Sequence, residues 1–268
     1  MTTEEIMAVA LGLAGMSSIP GDSAIYHPGR GIRRVLFAVD MGPGELTACA
    51  QLGFDAAISH HPPLTAALPA WEVYARHVDL MVQAGVPAEA ARAAVGSRVR
   101  AMQAAYQSAN HEHFPSLARL LGIPFMNIHG PLDEVGRRIM QERADEASGG
   151  TVGDVMDALA TLPEFQAARS TIQLGAGDRS SPAGKVVVAH GCLTNGGYAV
   201  ADAYFRHGVQ TVVYIHCPLA DAERLAGEGR GNLVITGHIA SDLVGINPFL
   251  QALAAAGVEV VTLNGTSC

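Results

Sequence analysis

Arg33-Arg34-Val35-Leu36-Phe37-Ala38-Val39-Asp40 is an apolar run that ends on a carboxylate, and Ala56-Ala57-Ile58-Ser59-His60-His61-Pro62 is a second that ends on two histidines. Between them, Met41-Gly42-Pro43-Gly44 turns into a short helical pattern over Glu45–Leu52. Strand, helix and strand at this spacing are what a parallel crossover unit requires. Neighbouring side chains on a strand point to opposite faces, so His60 and His61 can serve one centre only by leaving the strand. Pro62 and Pro63 favour that exit, because proline cannot continue a central ladder.

The same alternation continues outward. Upstream, residues 4–15 read as an amphipathic helix, Ile19–Ser23 as a turn, and its neighbours through Gly31 as Gly/Pro-rich loop. Downstream, residues 70–106 are helical in pattern with a break at Pro87, and Pro115–Leu121 is another short helix. The apolar run Gly122–Ile128 reads as a strand ending at His129, and a helix runs from about Leu132 to Glu146. The Ser-Gly-Gly of residues 145–153 is the expected break between lobes. Beyond it, helices over Val152–Ala160 and Glu164–Arg169 precede a strand at Lys185–His190. Strands at Thr211–Ile215, Asn232–Thr236 and Val258–Leu263 then alternate with helices at Tyr198–Arg206, Asp221–Ala226 and Ile239–Ala256. The expected architecture is α/β: one domain over residues 1–268, built of two related lobes with mostly parallel sheets and helices on both faces.

Composition narrows the function. Nearly half of the 268 residues are apolar and 16% are charged, a globular balance far from the disordered class. A net charge of −8 without any Lys/Arg cluster argues against nucleic acid as a partner. Cys49, Cys192, Cys217 and Cys268 are widely spaced and form no Cys-x-x-Cys, so a reducing compartment is expected. The acidic start Met1-Thr2-Thr3-Glu4-Glu5 is unlike a signal peptide, and no apolar run is long enough to span a bilayer. A cytoplasmic protein with no membrane partner is the expectation.

Sites in open α/β sheets form beyond the carboxyl ends of strands. This chain places Asp40, His60, His61, His129, His190, His216 and His238 there, six of its eleven histidines. Two of these ends repeat a His-x-x-x-Asp spacing, in His129-Gly130-Pro131-Leu132-Asp133 and in His238-Ile239-Ala240-Ser241-Asp242. On a helix that spacing puts both side chains on one face, one turn apart. Histidine with aspartate is the ligand chemistry of zinc, manganese or iron, with nothing soft enough to select copper. Taken singly, Asp133 and Asp242 also read as residues favoured at the positive end of a helix. His216 reads equally as a hydrogen-bonded loop histidine, His190 lacks a partner at ligand spacing, and His111-Glu112-His113 reads as a solvated turn. There is no Gly-x-Ser-x-Gly elbow, no phosphate loop and no Gly-x-Gly-x-x-Gly after the first strand, which disfavours serine hydrolases and dinucleotide binding.

Together these residues resemble the Nif-three-like family of dinuclear-metal-centre proteins, often named type-two GTP cyclohydrolase I. The resemblance rests on three blocks: Asp22-Ser23 with residues 35–40 and 58–62, Asn127–Asp133, and Ile235–Asp242. It implies metal ligands at His60, His61, Asp133, His238 and Asp242, with Asp133 bridging two divalent ions. It also implies Asp40 and His129 beside the metals, and a toroidal homohexamer. This chain departs from the family twice. Asp242 stands where the family pattern has glutamate, and His216-Cys217 follow a strand where the family tends to carry Thr-Gly-Asp.

The expected activity is therefore a dinuclear-metal-dependent hydrolysis of a small molecule, nucleotides included. A metal-bridging water or hydroxide would attack carbon or phosphorus, with His129 or His216 as proton shuttle. GTP cyclohydrolase activity is implied by the family name alone, since the sequence carries no guanine-reading motif. The alternatives are a non-catalytic metal-binding regulatory or interaction protein, and a metal-free α/β scaffold with incidental histidines.

Overall fold

In the computed structural model, residues 1–63 and 70–263 are described, and Cys268 lies outside them. The chain begins α1 (Thr3–Ala14), β1 (Ala24–His27), β2 (Arg34–Ala38), α2 (Pro43–Gln51), β3 (Ala56–Ser59) and α3 (Ala70–Tyr74). It continues α4 (Arg76–Gln83), α5 (Ala88–Tyr106), α6 (His113–Leu121), β4 (Phe125–Asn127), α7 (Gly130–Ala147) and α8 (Val152–Leu159). Next come α9 (Pro163–Ala167), β5 (Gln173–Ala176), β6 (Val186–Val188) and α10 (Gly197–Arg206). The last elements are β7 (Thr211–Tyr214), α11 (Leu219–Glu228), β8 (Asn232–Ile235), α12 (His238–Ala255) and β9 (Glu259–Thr262).

Two compact units form, each discontinuous in sequence. The first joins residues 1–73, 102–135 and 245–268, and the second joins residues 74–101 and 136–244. Residues 145–153 run from the last turn of α7 to the first turn of α8, inside the second unit.

The first unit is built on a five-stranded sheet of order β1-β4-β3-β2-β9, the second on a four-stranded sheet of order β5-β8-β7-β6. Their pairings match. In each, the leading strand is antiparallel to its neighbour, β1 to β4 and β5 to β8, and the remaining pairs are parallel. Related lobes are therefore visible as repeated topology. Val35, Phe37, Ala57 and Ile58 on β2 and β3 are fully or nearly fully buried, as are Val212 and Val213 on β7, which is why these runs read as uninterrupted apolar sequence. Leu36, Phe54 and Phe125 share a core in the first unit, and Val155, Val188 and Val234 share one in the second. Each such side chain contributes about 1.5–3 kcal/mol by leaving water.

Two strands lie where the sequence reads as loop or carries no pattern, β1 and β5. Both are antiparallel edges, and their residues are partly buried or exposed, with only Ala176 buried. An edge strand paired on one side carries little apolar signal, and here the neighbour's ladder holds it in place.

Candidate metal centre

Within the first unit, the carboxyl ends of β3 and β4 bring the predicted residues together. His60 follows β3, yet its N–H still donates to Ala38 O, and that of His61 donates to Val39 O. Ser59 Oγ donates to His61 O, closing the turn ahead of the prolines. His60 is fully buried, while the His61 side chain is 21% exposed. His129 follows β4, its N–H donating to Ser23 Oγ at 2.9 Å. Ring centroids of His60 lie 5.1 Å from His61 and 4.9 Å from His129. These three histidines can offer ligand nitrogens within 4.8 Å of one another.

What sets their chemistry is the other ring nitrogen. His60 Nδ1 lies 3.0 Å from Ile128 O, His61 Nδ1 2.7 Å from Asp40 Oδ1, and His129 Nδ1 2.8 Å from Asp22 Oδ2. A carbonyl or carboxylate oxygen can only accept, so each Nδ1 carries a proton, and in the neutral ring the lone pair is then on Nε2. That is the arrangement in which imidazoles bind metal, with an outer oxygen fixing tautomer and ring orientation.

Asp133 supplies the carboxylate. It stands in the first turn of α7, where its N–H donates to His129 O, and is 2% exposed. Its Oδ1 is 3.2 Å from His60 Nε2 and its Oδ2 3.6 Å from His129 Nε2, so one carboxylate spans two imidazoles. Two imidazoles against a buried carboxylate, with His61 beside them, make a donor set suited to zinc, manganese or iron. The residues fit a divalent ion.

In the second unit, His238 opens α12 and Asp242 follows one turn on, buried, with its Oδ2 3.4 Å from His238 Nε2. Gly237, just before His238, has φ 101°, and a Cβ there would lie 2.7 Å from Ser170 Oγ, so only glycine makes this entry into the helix without strain. His216 lies beside His238, the rings tilted with centroids 4.7 Å apart. Burial pushes the Cys217 thiol up to about 11, leaving it a neutral thiol at neutral pH. His190 is buried just past β6.

Two contributors escape a reading by spacing. Asp22 lies over one hundred residues before His129 and carries no helical or strand signal, yet it is fully buried and holds the imidazole. His113, read as part of a solvated turn, begins α6 and lines a cavity of about 570 Å³ with Asp40, Glu45, His61, Pro62 and Phe114. Among the described residues lining that cavity there is no lysine or arginine.

Fold and site together define a class: an α/β protein of two like-built sheets, carrying a His/Asp cluster able to hold divalent metal. The comparisons give the family. A NIF3 superfamily protein from Sphaerobacter thermophilus is 52% identical, with 99% of this chain and 98% of that one aligned at TM-score 0.96. The chain belongs to the NIF3 superfamily. Reduced HcgD from Methanocaldococcus jannaschii shares the fold at 12% identity and TM-score 0.62, over 98% of each chain. A Bacillus cereus protein related to NIF3 shares it at 12% identity and TM-score 0.52, over 98% of this chain and 97% of that one. No family model matches the sequence, and no curated protein matches it.

Proposed function

We propose that this chain is a dinuclear-metal-dependent hydrolase. The observation that carries the reading is the shared tautomer of His60, His61 and His129, each with Nδ1 bound to an oxygen and Nε2 turned to a cluster containing Asp133. The candidate ligands are His60, His61 and Asp133 in the first unit and, considered by themselves, His238 and Asp242 in the second, and the proposed stoichiometry is two divalent ions per chain. When bound, such ions supply Lewis acidity and a water acidic enough to react at neutral pH. The chain's own residues do the rest. Asp22 and Asp40 hold His129 and His61 with Nδ1 protonated, Asp133 would spread one negative charge over two positions, and His129 is the candidate to move a proton.

The cavity beside His61 bears on the substrate. Met41, Pro43, Pro62, Pro63 and Phe114 give it apolar walls, and Asp40 and Glu45 give it negative charge. A polyphosphate would find no cation among the described lining, so GTP is a weaker candidate than a neutral or cationic small molecule. A homohexamer, implied by family resemblance, belongs to the same proposal and is read by light scattering on the purified protein. Partial exposure of the His238 side chain keeps a second reading in view, a regulatory protein whose metal serves assembly.

Elemental analysis of the purified protein, coupled to a screen of nucleotides, phosphoesters and amides, tests the proposal. About two metals per chain and turnover of one class are expected. Stoichiometric metal without turnover would favour the regulatory reading, and no metal after reconstitution would sink both. Asp133→Ala is expected to lose metal and turnover together.

A further inference from the structure

Between β6 and α10 the chain runs His190-Gly191-Cys192-Leu193-Thr194-Asn195-Gly196-Gly197. Side chains of the second unit pin this loop. Arg76 Nη1 donates to Gly191 O at 2.7 Å, His77 Nε2 to Thr194 O at 2.9 Å, and Tyr214 OH to Gly197 O at 3.0 Å. Leu193 is held at φ 69°, left-handed backbone that a branched aliphatic residue adopts only under constraint.

The pinned loop sets the side-chain amide of Asn195 between two groups. Gly197 N–H lies 2.9 Å from Asn195 Oδ1, and a backbone N–H can only donate, so the amide orientation is determined. Asn195 Nδ2 then faces His216 Nδ1 at 2.9 Å. An amide NH2 has no lone pair to offer, so Nδ1 must accept, and the proton of the neutral ring sits on Nε2. His60, His61 and His129 are the reverse, with the proton on Nδ1. In their neutral forms the two sets of rings therefore present opposite groups at Nε2, a lone pair in the first unit and an N–H in the second.

We propose that Asn195 is a positioning residue that holds His216 in the Nε2–H tautomer, making His216 a hydrogen-bond donor to a carbonyl or anionic oxygen of the substrate rather than a metal ligand or a base. The tautomer stands on the loop geometry alone, whereas the donor role rests on the hydrolase reading. Its place is beside His238, 4.7 Å from ring to ring.

The test begins on metal-free, 15N-labelled protein, with long-range proton–nitrogen correlation at a pH where the imidazoles are neutral and His216 assigned through His216→Gln. Wild type should show the Nε2–H pattern at His216. Asn195→Asp is isosteric, can still accept from Gly197, and faces Nδ1 with a carboxylate, so His216 should switch to Nδ1–H. The same spectrum for wild type and Asn195→Asp, or Nδ1–H in wild type, overturns the assignment. In zinc-supplemented protein, His216→Gln should bind as much metal as wild type, and a lost equivalent would make His216 a ligand and overturn the proposal. Inorganic phosphate should bind about tenfold more weakly to zinc-supplemented Asn195→Asp than to wild type, one charge-assisted hydrogen bond having been lost. Equal phosphate affinity removes the donor role. A chain that takes up no zinc, manganese or iron refutes the hydrolase reading and with it the donor role, and the metal-free spectrum then decides the tautomer by itself.

Discussion

At the scale of single residues, the centre depends as much on what holds the imidazoles as on the imidazoles themselves. Asp22→Asn leaves an amide beside His129 Nδ1, which no longer compels the Nδ1–H tautomer. Activity of the metal-loaded protein should fall about 10- to 100-fold, as losses of an outer hydrogen bond typically do, and turnover at saturating metal measures it. His77 makes a different kind of prediction. Burial pushes its pKa down to about 4, against an ordinary value near 6.5. Below pH 6.5 the unfolded chain takes up a proton that folded His77 refuses, so stability is complete above that pH and declines towards pH 4. The loss is on the order of 3 kcal/mol. Urea midpoints at pH 7 and pH 4.5 should therefore converge in His77→Gln relative to wild type. An unchanged difference would show that other groups carry the acid sensitivity. The partner of neither residue was legible in the sequence. Asp22 sits in a turn and His77 in a helix, and only packing decides what faces them.

At the scale of elements, two local devices shape the sheets. The edge strand β6 is covered by one side chain, since Gln141 Nε2 donates to Val186 O at 3.1 Å and Val188 N–H donates to Gln141 Oε1 at 2.8 Å. That carboxamide makes both bonds a neighbouring strand would make, and so blunts an edge open to pairing with another chain. Gln141→Leu should cost about 1–3 kcal/mol and raise light scattering on mild heating. At the end of β8, Gly237→Ala should lower stability by about 1–2 kcal/mol for its left-handed backbone, with more added by the Ser170 clash. A melting curve for the metal-free protein reads this apart from any effect on His238. The core strands could be found in the sequence because burial on both faces writes an unbroken apolar run. Strands β1 and β5 could not, because they are short edges whose place is set by β4 and β8.

At the scale of the whole molecule, metal should act on stability as well as on chemistry. An ion that binds only the folded chain adds about 2.7 kcal/mol when free metal is one hundred times its dissociation constant. For a chain of this size that is a rise of roughly 5–10 °C in melting temperature. Calorimetry with and without chelator measures it, and an unchanged melting temperature would count against a resident ion. Among the described residues no helix is long and apolar enough to cross a membrane.

The repeated order β1-β4-β3-β2 and β5-β8-β7-β6 gives the scattered histidines their logic. His129 with Asp133 and His238 with Asp242 follow corresponding strands, β4 and β8, at the head of a helix. His61 and His216 follow the corresponding strands β3 and β7. The sequence by itself determined the class of fold, the strand ends and the His-x-x-x-Asp pairs, because each is written in local periodicity and spacing. Only the tertiary structure decided which proton sits on which nitrogen. The partners that settle it, Asp22 and Asp40 in one unit and Asn195 in the other, come from loops 21 to 107 residues away in the chain, and hydrogen-bond direction is a property of contacts that spacing does not encode.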